Sequence, residues 1–141
     1  MFQLTVWMVV GILLCGVASA LVGMAWYGTL GKVWMEAAGL TDERLRRPDG
    51  KQGASPTLYL TSFVSSLVMA TILTGIMHHS GGHSVRVGLI SAALCWVGFV
   101  LTTTLVNNAF QMKPLKLTLI DAGYWLLVLL AMGAILGFVG R

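Results

Sequence analysis

Four stretches of this chain carry no Lys, Arg, Asp or Glu: Met1–Gly31, Gln52–Val85, Val87–Met112 and Ala122–Gly140. Each is apolar over about the 20 residues that a helix needs to cross the hydrocarbon core of a bilayer. Inside lipid every backbone N–H and C=O must be satisfied by the protein itself, so only helices and closed barrels can span. Barrel strands alternate apolar and polar residues, whereas these runs are continuously apolar. The sequence therefore predicts an all-α fold, a four-transmembrane-helix bundle with short hairpins and one longer polar loop between helices 1 and 2. The helices are expected at about 4–27, 56–78, 85–108 and 115–139, in a single integral membrane domain covering residues 1–141. Charge supports this: 10% of residues are charged, against about 25% in a soluble domain.

The boundaries follow from local chemistry. Trp7 and Trp26 are spaced to sit roughly 28 Å apart on a helix, matching the two aromatic belts of a bilayer. Ala18-Ser19-Ala20 resembles a signal-peptidase site, but no Lys or Arg precedes the run and hydrophobicity continues to Trp26, so an uncleaved helix is expected. In the polar connector Gly28–Ser55, Thr41 is placed to cap a short helix and Pro48-Asp49-Gly50 to form a turn. Lys32, Trp34 and Glu36 are expected at the interface. Ser55-Pro56 supplies an N-cap and a first-turn proline for the second span. Gly81-Gly82 ends it, and Ser84 can cap the third. The two loops on one side carry Lys32, Arg44, Arg46, Arg47, Lys51, Lys113 and Lys116; the other side has only Arg86 and Arg141. The positive-inside rule puts the basic loops in the cytoplasm and both termini on the non-cytoplasmic side of a bacterial inner membrane.

Small residues mark the expected helix contacts, because in lipid close backbone approach and van der Waals packing drive association. Gly11, Cys15, Ser19 and Gly23 recur every four residues in the first span; Ser62, Ser66, Ala70 and Thr74 do so in the second. Gly88, Ser91, Cys95, Gly98 and Thr102 form a seam in the third. In the fourth, Gly133 and Gly137 lie roughly opposite the face shared by Asp121, Tyr124, Trp125, Val128 and Met132. Two packing faces on one helix suggest a homo-oligomer. Cys15 and Cys95 lie at similar depths and would meet if the first and third helices packed together. Trp96 lies mid-span, where its indole N–H needs a partner, and a hydroxyl of the second helix is the expected one.

Chemistry concentrates in Asn107–Tyr124, where Asp121 is a carboxylate inside an apolar run. It lies about 7.5 Å beyond Lys116 along a helix, on the cytoplasmic shoulder of the membrane. Trp26, Tyr27, Asn107, Asn108 and Tyr124 are expected at a similar level, making a candidate polar site. Such a carboxylate either binds a cation, proton or polar ligand, or locks the bundle through Asn, Tyr, Lys32 or Lys116. Arg44, Arg46 and Arg47 form a candidate lipid or partner contact. His78, His79 and His83 sit in a loop whose glycines interrupt the helix that metal ligation at i, i+4 would need, so no metal is expected. No nucleotide-binding, metalloprotease, serine-hydrolase or dithiol motif occurs, so neither enzyme activity nor a cofactor is expected. The net charge of +4 resides beside membrane spans, where topology explains it, and nucleic-acid binding is not expected.

Several of these residues together resemble a family of small bacterial four-helix membrane proteins defined as a domain of unknown function. They are Trp26-Tyr27-Gly28, Gly31-Lys32, Trp34, Asn107-Asn108 with Phe110, Asp121-Ala122-Gly123-Tyr124 and Met132 to Gly137. Thr29 stands where that family usually has proline. The resemblance covers nearly the whole chain and implies architecture without an activity. Two functional readings follow from the residues. One is a homo-oligomeric channel or carrier for a small solute or ion; the other is a non-catalytic accessory or scaffold subunit of a larger membrane complex.

Overall fold

The computed structural model describes residues 5–48, 50 and 53–140. Four helices, Val6–Ala38, Pro56–His79, Val85–Phe110 and Leu115–Val139, are each long and apolar enough to cross a membrane, and no strand occurs among the described residues. The chain is a multi-pass membrane protein. The start of the first helix, the end of the fourth and the Ser80–Ser84 hairpin lie on one side, here the terminal side. The long connector and the turn between the third and fourth helices lie on the other, the loop side.

The caps form where the sequence places them. Ser55 accepts from Leu58 N at 3.4 Å ahead of Pro56, and Ser84 accepts from Val87 N at 3.2 Å. Gly81 and Gly82 turn the hairpin at φ 113° and 95°, left-handed values that a side chain rarely tolerates. Thr41 occupies the N-cap position of the short helix Asp42–Leu45 but makes no side-chain capping bond. This helix packs on none of the membrane helices. Asp49 and Lys51 lie outside the described residues.

The first helix departs most from expectation. It runs unbroken through Trp26-Tyr27-Gly28 to Ala38 and stops only at Gly39, which takes φ 70°. A proline at position 29 would remove a helical donor; Thr29 keeps it, and its hydroxyl bonds the Ala25 carbonyl at 2.8 Å. The resulting 33-residue helix is about 50 Å long, well beyond the roughly 30 Å hydrocarbon thickness. Trp34 is thereby carried on the same rod as Tyr27.

The fourth helix is the hub: it packs along the first on one flank and the third on the other, and also touches the second. First and third do not meet, so Cys15 and Cys95 stay apart. The Cys15 thiol, fully buried, instead points at the Met132 carbonyl at 3.8 Å. The stripe of the first helix faces the fourth: a Cβ on Gly11 would lie 3.4 Å from Leu136, and one on Gly23 would lie 3.5 Å from the Tyr124 ring. Gly133 meets Gly88 backbone to backbone, and Gly137 meets Ser84 and Val85. The glycine face of the fourth helix is thus occupied by the third helix within one chain. That face is therefore not available to a second copy.

Residues Trp96–Leu101 of the third helix form a π-helical segment. Its i→i+5 bonding accommodates an extra residue and shifts the helix face that follows. Gly88 and Ser91, before it, are buried as the seam predicts. Gly98 and Thr102, at and after it, are exposed, and Val100, Leu101, Thr104 and Asn108 are the part-buried positions instead. Period alone could not anticipate that slip.

The second helix meets the third only along Val85–Cys95. Of its buried residues, Ala70, Leu73, Thr74 and Met77 lie in the terminal-side half and Ser66 at the middle, while Thr57–Ser62, Val64 and Ser65 are exposed. The bundle is tightly closed by Leu73, Met77, Val128, Met132 and Leu136 in its terminal half and parted beside the second helix in its loop-side half.

Candidate functional site

Three indole N–H groups converge on one turn of the fourth helix. Trp26 Nε1 donates to the Ile120 carbonyl at 3.1 Å, and Trp96 Nε1 donates to the Ala122 carbonyl at 2.7 Å. Trp34 Nε1 donates to Asp121 Oδ1 at 2.9 Å. Indoles in a membrane bundle must place their polar edge somewhere, and helix carbonyls can accept a second donor beside their own intrahelical one. The first and third helices thus clamp the backbone on either side of Asp121. The partner of Trp96 is a fourth-helix carbonyl, not the second-helix hydroxyl that its position suggested.

The carboxylate is half-buried. Its Oδ1 takes both the Trp34 indole and the Tyr27 hydroxyl, the latter at 3.3 Å. No Lys or Arg pairs with it, and Oδ2 has no hydrogen-bond partner, among the described residues. Lys32 and Lys116, both exposed, are not its counter-ions. Two neutral dipoles therefore orient the carboxylate without neutralising it.

Aromatic and hydroxyl groups continue from this point toward the bundle centre. Tyr27 packs on Trp34 edge to face at 5.6 Å and on Tyr124 at 5.3 Å between ring centroids. The Tyr124 hydroxyl lies 3.3 Å from Ser19 Oγ and 3.4 Å from the Ser19 carbonyl. Ser19 Oγ is 2.8 Å from Ser66 Oγ, and Ser66 Oγ donates to the Ser62 carbonyl at 2.9 Å. Because the one proton of Ser66 is committed to Ser62, Ser19 is the donor between the two serines. A chain of polar groups from three helices runs from Asp121 to Ser66, then meets the apolar closure of Leu73, Met77 and Met132.

Of the residues expected at this level, Tyr27 and Tyr124 join Asp121, and Trp26 secures its helix from behind. Asn107 and Asn108 do not join. Asn107 is exposed, and Asn108 Nδ2 bonds Thr118 Oγ1 at 3.0 Å, tying the third helix to the fourth. They lie below the π segment, which turns the end of the third helix away from the carboxylate. Trp34 is the residue that sequence reasoning left out of the site. With the first span ended at Tyr27, it could only be an interface anchor; an unbroken helical pattern from Gly28 to Ala38 was the available signal.

Outside this cluster, Lys113 Nζ caps the end of the first helix at the Ala38 carbonyl, 2.6 Å away. Arg44 and Arg46 are exposed, and Arg47 Nη1 reaches the Ala54 carbonyl at 3.5 Å. In the hairpin the His78 ring lies 5.4 Å from His79 and 6.2 Å from His83. Yet no three His, Cys, Asp or Glu side chains are grouped to hold a metal among the described residues. Burial lowers the His83 imidazole below its ordinary range, helped by neighbouring His78 and opposed by the Thr74 carbonyl.

No curated protein and no solved structure matches the chain. Residues 10–137, which hold the four membrane helices except the first turn of the first and the last residues of the fourth, and every member of the Asp121 cluster, match one defined family. The chain accordingly belongs to the family described as protein of unknown function (DUF1761).

Proposed function

We propose that the protein is a homo-oligomeric carrier or channel for a small cation or polar solute, with Asp121 as its binding group. The supporting observation is the carboxylate itself: it is ionisable, set within a membrane helix, held by two neutral donors, and without a cationic partner among the described residues. Ionisable side chains are costly within membranes and characteristically mark solute or ion pathways. The polar chain to Ser66 extends the site inward, and the apolar closure beyond it suits a state accessible from the loop side only. By the positive-inside rule that side is cytoplasmic. The parted second helix gives a second copy a place to pack.

Proteoliposomes loaded with a pH-sensitive or cation-sensitive dye test this reading. An imposed gradient of proton, Na⁺ or K⁺ should give protein-dependent flux that Asp121→Asn abolishes. Equal flux in the Asn variant and wild type, or none above empty liposomes for any of these ions, refutes it. The exposed loop-side half of the second helix equally favours an accessory or scaffold subunit, which needs a free helix face. Co-purification of a stoichiometric foreign membrane protein in mild detergent would decide for that alternative.

A further inference from the structure

A second feature lies between the first and fourth helices, lined by neither Asp121 nor its donors. It is an open groove of about 430 Å³ bounded by Trp26, Leu30, Val33, Leu115, Leu119 and Ile120, with Lys116 among its lining residues. We infer that this groove holds one anionic phospholipid, with an acyl chain against its apolar wall and the phosphate on Lys116. From Trp26 to Val33 the wall extends about 10 Å along the helix, enough for the upper part of a chain. Lys116 is the second residue of its helix and exposed, so its ammonium sits at headgroup level while its methylenes follow the apolar wall. It makes no ion pair or hydrogen bond among the described residues. Nearby, Lys113 anchors the neighbouring turn to Ala38 and adds a second positive charge. At the start of the fourth helix the Pro114 carbonyl takes the Leu117 N–H at 2.9 Å, and the positive end of the helix dipole, at Leu115 and Lys116, favours an anion there. An apolar trough that ends in cations at the interface complements an amphipathic anion, and a phospholipid is the amphipathic anion of a bilayer.

Native mass spectrometry of the full chain, released from micelles with equimolar phosphatidylglycerol and phosphatidylcholine of identical chains, tests this. One phosphatidylglycerol should be retained in preference to phosphatidylcholine. Lys116→Glu should lower its retention at least about fivefold, the effect of one basic residue at an anionic surface. Leu119→Trp, which fills the groove, should displace it, whereas Lys32→Glu, an exposed lysine outside the groove, should not. A thermal melt of each variant establishes that it is folded; should Leu119→Trp fail to fold, the two lysine variants still decide. Equal retention of the two lipids, equal loss in both lysine variants, an inorganic phosphate adduct in place of lipid, or a dimer crosslinked through the groove would each overturn the inference. Asp121→Asn should leave retention unchanged, so failure of the transport reading does not bear on this one.

Discussion

The hydrogen bond from Trp34 to Asp121 links the overhanging end of the first helix to the fourth and can be measured as a coupling energy. At 2.9 Å it has the length of a charge-assisted N–H···O⁻ bond, about twice the strength of a neutral one. Hydrogen bonds to charged groups in soluble proteins contribute about 1.5–3 kcal/mol. Couplings between membrane helices are smaller, about 0.6 kcal/mol on average and about 1.7 at most. An ionised acceptor with a short bond belongs toward the upper end, so a double-mutant cycle of Trp34→Phe and Asp121→Leu should give about 1–1.5 kcal/mol. Phenylalanine keeps the edge-to-face packing on Tyr27, and leucine keeps the branched shape of the carboxylate without an acceptor oxygen, so each change removes little besides the bond. The Tyr27 hydroxyl bond is longer, 3.3 Å, and Tyr27→Phe paired with Asp121→Leu should couple by about half as much. Reversible unfolding in mixed SDS and maltoside micelles, followed by circular dichroism, supplies the four free energies of each cycle. A Trp34 coupling below about 0.3 kcal/mol, or a Tyr27 coupling that exceeds it, would show that Trp34 does not hold the carboxylate.

Two other outcomes follow from the packing and the hairpin. Gly88→Val should destabilise the bundle by about 2–3 kcal/mol, because its Cβ would meet the Gly133 backbone, whereas Gly98→Val, with nothing within 4 Å, should cost less than about 0.5 kcal/mol; similar midpoints in micelle unfolding would contradict the contact between the third and fourth helices. His83, whose folded pKa lies below the ordinary 6.5, favours the folded state in its neutral form, so its stabilisation is complete above about pH 6.5 and is lost as pH falls below it toward the folded pKa. Melting temperature should therefore drop between pH 7 and pH 5, and drop less in His83→Asn; identical pH dependence in the two proteins would refute the assignment.

Much of the candidate site could be read from the chain before any packing was known. Asp121 declares itself as the acid within an apolar run, and counting along the helices brings Tyr27 and Tyr124 to its level. Trp34 could not be found that way, because depth assigned from the end of a predicted span is only as good as that end. Once the first helix is seen to continue past Tyr27, Trp34 leans back toward its own N-terminus, as long helical side chains do, and reaches the carboxylate. Asn107 and Asn108 show the reverse error. They have the right depth and the wrong azimuth, because six π-helical residues shift the face they occupy.

The sequence by itself determined the membrane class, the four spans, the caps at Ser55 and Ser84 and the turn at Gly81-Gly82. Those features depend on local chemistry: a charge-free run of spanning length, a hydroxyl ahead of a helix, a backbone angle that only glycine takes easily. Only the tertiary structure decided which faces meet, that the fourth helix is the hub, and that the second parts from the bundle on the loop side. In a soluble helix the apolar stripe points to the core, but here lipid and core are equally apolar, so the pattern carries no direction. What orients these helices is the small set of groups that cannot be left to lipid: three indole N–H donors, a serine pair, and a carboxylate on the turn they enclose.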